Sequence, residues 1–184
     1  FPFNAGNKIR SSPAVGDVDN DGVNEVVFGS HDGGLYVISL IGTQKMVYFQ
    51  DGYIVGSPAL FDLDLDGDME IIFTTQLGID SGKLFAIHHD GTDLEGFPLD
   101  LNERMMVGPA IGDLENDGII DIVVCTWGEN IYAIEKSGHI KAGFPFTSTR
   151  RFNSAPTLVD IDHDGDLEII AGNDYGLLHI LNHD

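Results

Sequence analysis

Carboxylates recur with one fixed spacing at four places along the chain. Each place is a short segment with acidic residues at positions 1, 3, 5 and 9 and glycine at position 6. The acids are Asp17, Asp19, Asp21 and Glu25; Asp62, Asp64, Asp66 and Glu70; Asp113, Glu115, Asp117 and Asp121; and Asp160, Asp162, Asp164 and Glu168. Alternating carboxylates on a tightly curled loop converge on one point, as binding of a hard divalent cation requires. The chemistry that this pattern predicts is therefore metal binding.

Calcium is the ion that suits these segments best. Ca²⁺ takes roughly six to eight oxygen ligands, and glycine at position 6 allows the backbone to turn sharply around it. A backbone carbonyl at position 7 would add a ligand, and the residues there are Val23, Asp68, Ile119 and Asp166. An EF-hand is excluded, because its last acid falls at position 12 and helices flank it. The sequence predicts about four Ca²⁺, one per segment. The alternative is four solvated acidic turns without an ion.

The acidic segments belong to an internal repeat. They begin at Asp17, Asp62, Asp113 and Asp160, a spacing of about 46 residues, which matches a four-stranded propeller blade. Each is preceded by a short stretch that contains proline, and each is followed by two apolar runs with turn residues between them. Short β-branched runs separated by Gly, Asn and Asp predict strands.

The predicted fold is an all-β propeller of four-stranded antiparallel blades, forming a single domain over residues 1–184. The repeats span approximately residues 11–56, 57–107, 108–153 and 154–184. Residues 1–10 are a possible closing strand for the last blade, because Phe1-Pro2-Phe3 repeats the Phe-Pro signature of two outer strands, at 96–99 and 143–146. Three arrangements remain open: a closed four-bladed ring, part of a larger propeller, or half of a dimeric ring. In the second of these, residues 1–3 are the tail of a preceding blade.

These repeats resemble the FG-GAP family, which occurs in integrin α-subunit propellers and in bacterial secreted proteins. The matching elements are the Pro-Ala-x-x-x-Asp strand and the Asp-x-Asp-x-Asp-Gly-x-x-Asp/Glu loop, for example Asp17 to Glu25. The resemblance implies a calcium-binding propeller. It is unspecific as to function, because the family includes adhesins, lectins and polysaccharide lyases. Calcium loops of extracellular modules work at millimolar concentrations, which predicts a secreted or cell-surface location.

The loops at the opposite end of the strands carry a second candidate site. Lys8 and every arginine fall on connections between blades, and aromatic residues fall on the same end of the fold. The candidate ligand-binding residues are Arg10, His31, Tyr53, Arg104, Trp127, Arg150, Arg151 and Tyr175. Arginine pairs with carboxylates and aromatic rings pack against sugars, so a binding or adhesion module for a carbohydrate or protein ligand is predicted. The alternatives are a polysaccharide lyase-like enzyme or its propeller fragment, a structural assembly unit, and arginines that only keep the loops soluble.

Composition narrows the range of partners. Thirty acidic residues against nine basic ones give a net charge of −21, which would repel the phosphates of nucleic acid. No apolar run is long enough to span a membrane. The single cysteine, Cys125, cannot form an intrachain disulfide. A homo-oligomer or further propeller repeats remain possible partners.

Overall fold

The computed structural model describes residues 2–182, and every regular element in that range is a β-strand. The strands form four antiparallel sheets, each made of sequential neighbours in chain order. Residues 2–182 contain no helix of the length and hydropathy needed to cross a bilayer. The all-β prediction with antiparallel propeller-type blades is confirmed.

Each sheet is named here as a blade. Blade 1 contains β1 (Ala14–Gly16), β2 (Glu25–Gly29), β3 (Gly34–Ser39) and β4 (Gln44–Phe49). Blade 2 contains β5 (Ala59–Phe61), β6 (Glu70–Thr74), β7 (Lys83–Ile87) and β8 (Leu99–Asp100). Blade 3 contains β9 (Ala110–Gly112), β10 (Asp121–Cys125), β11 (Asn130–Glu135) and β12 (Phe146–Thr147). Blade 4 contains β13 (Thr157–Val159), β14 (Glu168–Gly172) and β15 (Leu178–Leu181).

The outer strands of blades 2 and 3 are shorter than the Phe-Pro signature suggests. Pairing begins only at Leu99 and Phe146, the residues that follow Pro98 and Pro145. Proline has no N–H to donate to a ladder, so the residues before it do not extend the strand. Phe97 instead packs into the core between blades 2 and 3.

The two central strands of blades 1, 2 and 3 carry buried apolar side chains on both faces, because each of these blades is covered on both sides. In β3, Leu35 and Val37 point toward blade 2, while Tyr36 and Ile38 point to the other side. We call the side of a blade that faces the following blade its far face, and the other side its near face. Alternating side chains thus enter different cores, which explains continuous hydrophobic runs rather than an alternation with polar residues.

Three cores lie between successive blades. The first joins the far face of blade 1 to the near face of blade 2, where Phe73 and Phe85 stack with centroids 4.9 Å apart. The second joins blades 2 and 3, and the third joins blades 3 and 4. A residue of the connection between blades is fully buried in each core: Ile54, Met105 and Phe152. The four blades are therefore held together mainly by stacked apolar faces.

The segment before blade 1 covers that blade's near face. Phe3 packs edge-on against Phe28 and Tyr36, and the Tyr36 hydroxyl donates to the carbonyl of Ala5 at 3.1 Å. Within residues 2–182, blade 4 has three strands, and residues 2–10 do not pair with it. The hypothesis that residues 1–10 close the last blade stays a prediction. Phe1, like residues 183–184 of the last predicted repeat, lies outside the described residues.

Burial between blades predicts a large difference between two isoleucines of blade 2. Ile72 is fully buried in the core with blade 3, whereas Ile79 lies on an exposed loop. Replacing Ile72 with alanine should lower the free energy of unfolding by about 2–5 kcal/mol, because it leaves a cavity between two blades. Ile79→Ala should change it by no more than about 0.5 kcal/mol. Urea denaturation of both variants measures the difference, and equal effects would contradict stacking of the blades.

Candidate metal centres

The four acidic loops share one backbone conformation. We name them L1 (17–25), L2 (62–70), L3 (113–121) and L4 (160–168). Glycine at position 6 has a positive φ in every loop, between 86° and 105°. Position 4 is also left-handed in every loop, with φ between 51° and 67°, although no glycine occupies it; its residues are Asn20, Leu65, Asn116 and His163. This conformation is uncommon for leucine, so the loop geometry overrides local preference there.

Backbone amides curl toward the first carboxylates of the loops. In L1 the N–H groups of Asp21 and Gly22 donate to the two oxygens of Asp17, at 3.0 and 2.8 Å. In L3 the equivalent bonds reach Asp113 at 3.0 and 2.7 Å. In all four loops the N–H of position 7 donates to the position 5 carboxylate, as Val23 does to Asp21 at 2.8 Å. These bonds hold the carboxylates on the inner side of the curl.

The position 9 acid is buried in all four loops and closes the base of each. One of its oxygens accepts a hydrogen bond from the N–H of position 2. The pairs are Glu25 with Val18 at 3.2 Å, Glu70 with Leu63 at 2.7 Å, Asp121 with Leu114 at 3.3 Å, and Glu168 with Ile161 at 2.9 Å. Burial raises the pKa of Glu70 and of Asp121, partly offset by these hydrogen bonds.

The donor sets fit a divalent cation. L1, L2 and L4 each bring three carboxylate oxygens within 4.8 Å of one another: Asp17, Asp19 and Glu25; Asp62, Asp64 and Asp66; and Asp160, Asp162 and Glu168. Several carboxylate oxygens are buried and have no hydrogen-bond donor within residues 2–182, namely those at Oδ1 of Asp19, Asp62, Asp68 and Asp121. A buried anionic oxygen without a donor is costly unless a cation meets it. A calcium ion would supply that charge.

In L1 an ammonium group already lies among the carboxylates. Lys45 Nζ, from β4, is 2.7 Å from Glu25 Oε1, 2.9 Å from Asp19 Oδ2 and 3.1 Å from Asp21 Oδ2. Hydrogen bonds to Glu25 and then to the two aspartates raise the pKa of Lys45 well above its ordinary value. A cation bound at this point would have to displace the lysine, because two positive charges cannot share one carboxylate cluster at these distances.

L3 repeats this arrangement with a more buried lysine. Lys141 Nζ is 2.8 Å from Glu115 Oε2 and 3.0 Å from Asp121 Oδ2. Burial opposes the charge on Lys141, but the hydrogen bonds to both carboxylates outweigh it and raise the lysine pKa. L1 and L3 therefore carry a compensating positive charge of their own.

L2 is lined by histidines instead. His88 Nδ1 lies 3.0 Å from Glu70 Oε1, and His89 contacts Asp68. Burial, followed by the Asp66 carboxylate, raises the pKa of Asp68. The basic groups beside the acids of L2 are therefore imidazoles rather than ammonium groups. In L4 none of the described lysines or histidines forms an ion pair with Asp160, Asp162 or Glu168.

Sequence reasoning found the carboxylates and missed the basic residues that contact them. A signal was present, because Lys45 and Lys141 both lie 20 residues after the last acid of their loops. The ligand role of the position 7 carbonyls of Val23, Asp68, Ile119 and Asp166 stays a prediction.

On the opposite end of the strands, five of the predicted ligand residues come together at blades 3 and 4. The guanidinium of Arg104 lies 3.8 Å from the ring centroid of Trp127, and that of Arg151 lies 4.2 Å from it. Arg150 lies 4.7 Å from the ring of Tyr175, which is largely exposed. The indole Nε1 of Trp127 is buried and has no acceptor among the described residues.

The other three predicted ligand residues lie at blades 1 and 2. The rings of His31 and Tyr53 stack with centroids 4.8 Å apart. Burial, and then the charges of Arg10 and Lys8, lower the pKa of His31. The eight residues that the sequence assigned to one ligand site therefore form two separate groups, one at blades 1 and 2 and one at blades 3 and 4.

An open cleft of about 440 Å³ runs beside Trp127. Its lining includes Arg104 and Arg151 together with two acids that sequence reasoning did not single out, Asp80 and Glu103. Glu103 accepts hydrogen bonds from Asn130 at 2.6 Å and from the Tyr132 hydroxyl at 2.7 Å. Arg151 pairs with Asp174, and this contact lowers the Asp174 pKa. The cleft therefore offers donors and acceptors side by side.

The lysine in L1 predicts a gain of calcium binding when it is removed. Lys45→Met should strengthen Ca²⁺ binding at L1 by tenfold or more, on the order of 1.4 kcal/mol, because the competing ammonium is gone. Isothermal titration calorimetry of metal-free protein measures this change. Lys83→Met, which removes a lysine that contacts none of the acidic loops, is the control. Unchanged titration curves for Lys45→Met would show that the ammonium does not occupy the ion's place.

The raised pKa of Glu70 predicts a pH dependence of stability in metal-free protein. A carboxyl whose pKa is higher in the folded state stabilises the fold when protonated, and this contribution disappears as pH rises above its ordinary value of 4.5. Glu70→Gln should therefore reduce the loss of unfolding free energy as the pH rises from about 4.5. Urea unfolding at a series of pH values measures it, with exposed Glu95→Gln as control. A Glu70→Gln profile parallel to that of the unchanged protein would refute the prediction.

Comparison with known proteins agrees with this geometry. The family model described as "FG-GAP-like repeat" matches residues 113–171, which contain L3, L4 and the connection between blades 3 and 4. A sequence search of curated proteins finds no match.

Solved structures of the same fold have low sequence identity to this chain. BamB from Moraxella catarrhalis is 17% identical with a TM-score of 0.69, over 98% of this chain and 48% of BamB. The biofilm matrix protein Bap1 from V. cholerae is 20% identical with a TM-score of 0.70, over 94% of this chain and 27% of Bap1. The computationally designed Ika4 protein is 14% identical with a TM-score of 0.67, over 97% of this chain and 93% of Ika4. The chain thus spans about half the length of BamB. Residues 113–171 thus match the model of an FG-GAP-like repeat, and the four sheets of the chain are blades of the β-propeller type.

Proposed function

We propose that the chain is a calcium-stabilised extracellular module that binds a carbohydrate or protein ligand on the face opposite the acidic loops. The observation that carries the ligand site is the stack of Arg104, Trp127 and Arg151 beside an open cleft. Guanidiniums held in place by an aromatic ring are preorganised to donate hydrogen bonds, so little side-chain entropy is lost on binding.

The chemistry of the cleft favours a ligand with many hydroxyl groups. Arg104 and Arg151 donate, while the carboxylates of Asp80 and Glu103 accept. A hydroxyl both donates and accepts, so a sugar could use both kinds of group, whereas a polyanion would meet the acids unfavourably.

A second, smaller surface adjoins the cleft on blade 4. Arg150, Arg151 and Tyr175 line it together with Asp174. Because Trp127 already contacts two guanidiniums, Tyr175 is the aromatic ring with the larger exposed area for packing against a ligand. An extended ligand could therefore contact Trp127 and Tyr175 at the same time.

Calcium in this proposal stabilises the blades and takes no part in ligand contact. The acidic loops join the first and second strands of each blade, whereas Trp127 and Tyr175 lie on loops between the second and third strands. Successive connections in an antiparallel sheet fall at opposite ends. L4, which lacks an ion pair to three of its acids among the described residues, is the loop that would depend most on the ion. Loops of this kind in extracellular modules bind calcium at about 10⁻⁴–10⁻³ M, which supports an extracellular location.

Removing two guanidiniums should test the ligand site. A glycan array of uronate-containing and neutral oligosaccharides identifies a binding sugar, and isothermal titration calorimetry then gives its affinity. Arg104→Gln combined with Arg151→Gln should weaken binding by tenfold or more, because each charged hydrogen bond contributes about 1.5–3 kcal/mol.

Arg10→Gln is the matched control. Arg10 lies on an equivalent connection, but at blade 1, where its charge lowers the pKa of His31. It should bind as the unchanged protein does. Equal affinity of the double variant and the control, or no binding to any sugar on the array, would refute carbohydrate recognition by this cleft.

A further inference from the structure

The far face of blade 4 is exposed, although its equivalents in the other blades are fully buried. Ile161 is 51% exposed, whereas the residues at the same loop position, Val18, Leu63 and Leu114, are buried between blades. On β15, Leu178 is 68% and Ile180 is 51% exposed. Their equivalents in register, such as Leu35 and Val37, are completely covered by the following blade.

β15 is also the outermost strand of its sheet among residues 2–182. In blades 2 and 3 the equivalent strand carries a two-residue partner, with Leu84 opposite Leu99 and Ile131 opposite Phe146. Leu178 corresponds to Leu84 and Ile131, because each lies at the same place in the pairing with the preceding strand. Blade 4 thus offers an exposed apolar face and an unpaired strand edge together, which natural sheets usually cover.

Residues 3–10 have the contacts of an outer strand that precedes blade 1. Phe3 packs on Tyr36 with centroids 5.5 Å apart, just as Phe146 packs on His179 at 5.3 Å. Further along, the carbonyl of Lys8 accepts from the N–H of His31 at 2.9 Å, as the carbonyl of Arg151 accepts from Asp174 at 3.0 Å. These residues are therefore arranged on blade 1 as β12 and the connection after it are arranged on blade 4.

Blade 1 also exposes the residues that would meet a preceding blade. Ile9 is 47% exposed, although its equivalents Ile54, Met105 and Phe152 are buried between two blades. Val15 is 58% exposed, whereas its equivalent Leu60 packs against the core between blades 1 and 2. Among residues 2–182, nothing covers either end of the stack, and the surfaces exposed there are the two halves of one interface between blades.

We propose that the far face of blade 4 docks on blade 1 of a second copy of this chain. Residues 3–4 of the second copy become the fourth strand of blade 4, with Phe3 opposite Leu178 and Asn4 opposite Leu177, in the register that blades 2 and 3 show. Ile9 and Val15 of the second copy pack against Ile161, Leu178 and Ile180. Because each copy exposes both of these surfaces among its described residues, two such contacts close a ring of two copies.

Mass measurements with two surface variants test the arrangement. Size-exclusion chromatography with light scattering should give about twice the chain mass of 20.0 kDa in calcium-containing buffer. Leu178→Asp and Val15→Asp should each give the single-chain mass, because each places a charge in the interface. An equimolar mixture of the two should recover the double mass, since one unaltered interface can form between them. Ile41→Asp, at the exposed turn between β3 and β4, should remain at the double mass.

A cross-link tests the register directly and does not depend on the aspartate variants. With Phe3→Cys and Leu178→Cys in one chain, paired β-carbons approach closely enough for a disulfide. Cys125 does not compete, because it is buried and burial raises its thiol pKa to about 12. Oxidation should give a covalent species of twice the chain mass on a denaturing gel.

Three results would overturn the proposal. A single-chain mass for the unchanged protein at high concentration would show that the face does not pair with a second copy. An intrachain disulfide would show that blade 1 of the same chain covers blade 4. A double mass that Leu178→Asp abolishes and Val15→Asp does not affect would show pairing of two blade 4 faces instead.

Discussion

A buried carboxylate at the base of each acidic loop connects the loop to the core. Its oxygen accepts a hydrogen bond from the position 2 amide, and in blades 1 to 3 the position 2 side chain lies between two blades. The backbone of position 2 also reaches the next blade, as the Val18 carbonyl accepts from the Met69 N–H at 3.1 Å and Leu114 accepts from Leu167 at 3.0 Å. Positions 2 and 9 of a loop thus attach the loop to its own sheet, and position 2 also attaches that sheet to the next blade.

This connection places the charge of the loop at the junction between two blades. A carboxylate buried at the junction must be neutralised by a proton, a lysine or a metal ion, because an isolated charge in an apolar environment is costly. The chain has nine lysines and arginines against 30 acids, and two of its lysines contact these loops. Electrostatics at the loops therefore acts on the same surface that supplies most of the hydrophobic stabilisation.

The sequence predicted the fold well because the repeat is visible in residue types that have one physical role. Prolines, alternating acids and glycine at position 6 mark the same places in every blade, so four weak signals reinforce one another. Lys45 and Lys141 recur at one distance from the last acid of their loops, but their contacts with the acids, like that of His88, depend on the path of the third and fourth strands. The grouping of Trp127 with Arg104 and Arg151 likewise depends on how two blades stack. Residues on one face were predictable, whereas their distribution into two separate groups was not.

The loops differ in how each obtains its positive charge, although their backbones are alike. In blades 1 and 3 a lysine of the chain itself supplies one positive charge to the carboxylates of the loop. In blade 2 the basic groups beside the acids are imidazoles, and three acids of blade 4 have no basic partner within residues 2–182. The position 4 and position 6 φ angles are alike in all four loops, whether or not a lysine contacts the acids. The basic partner of a loop can therefore differ from one repeat to the next while the backbone of the repeat stays the same.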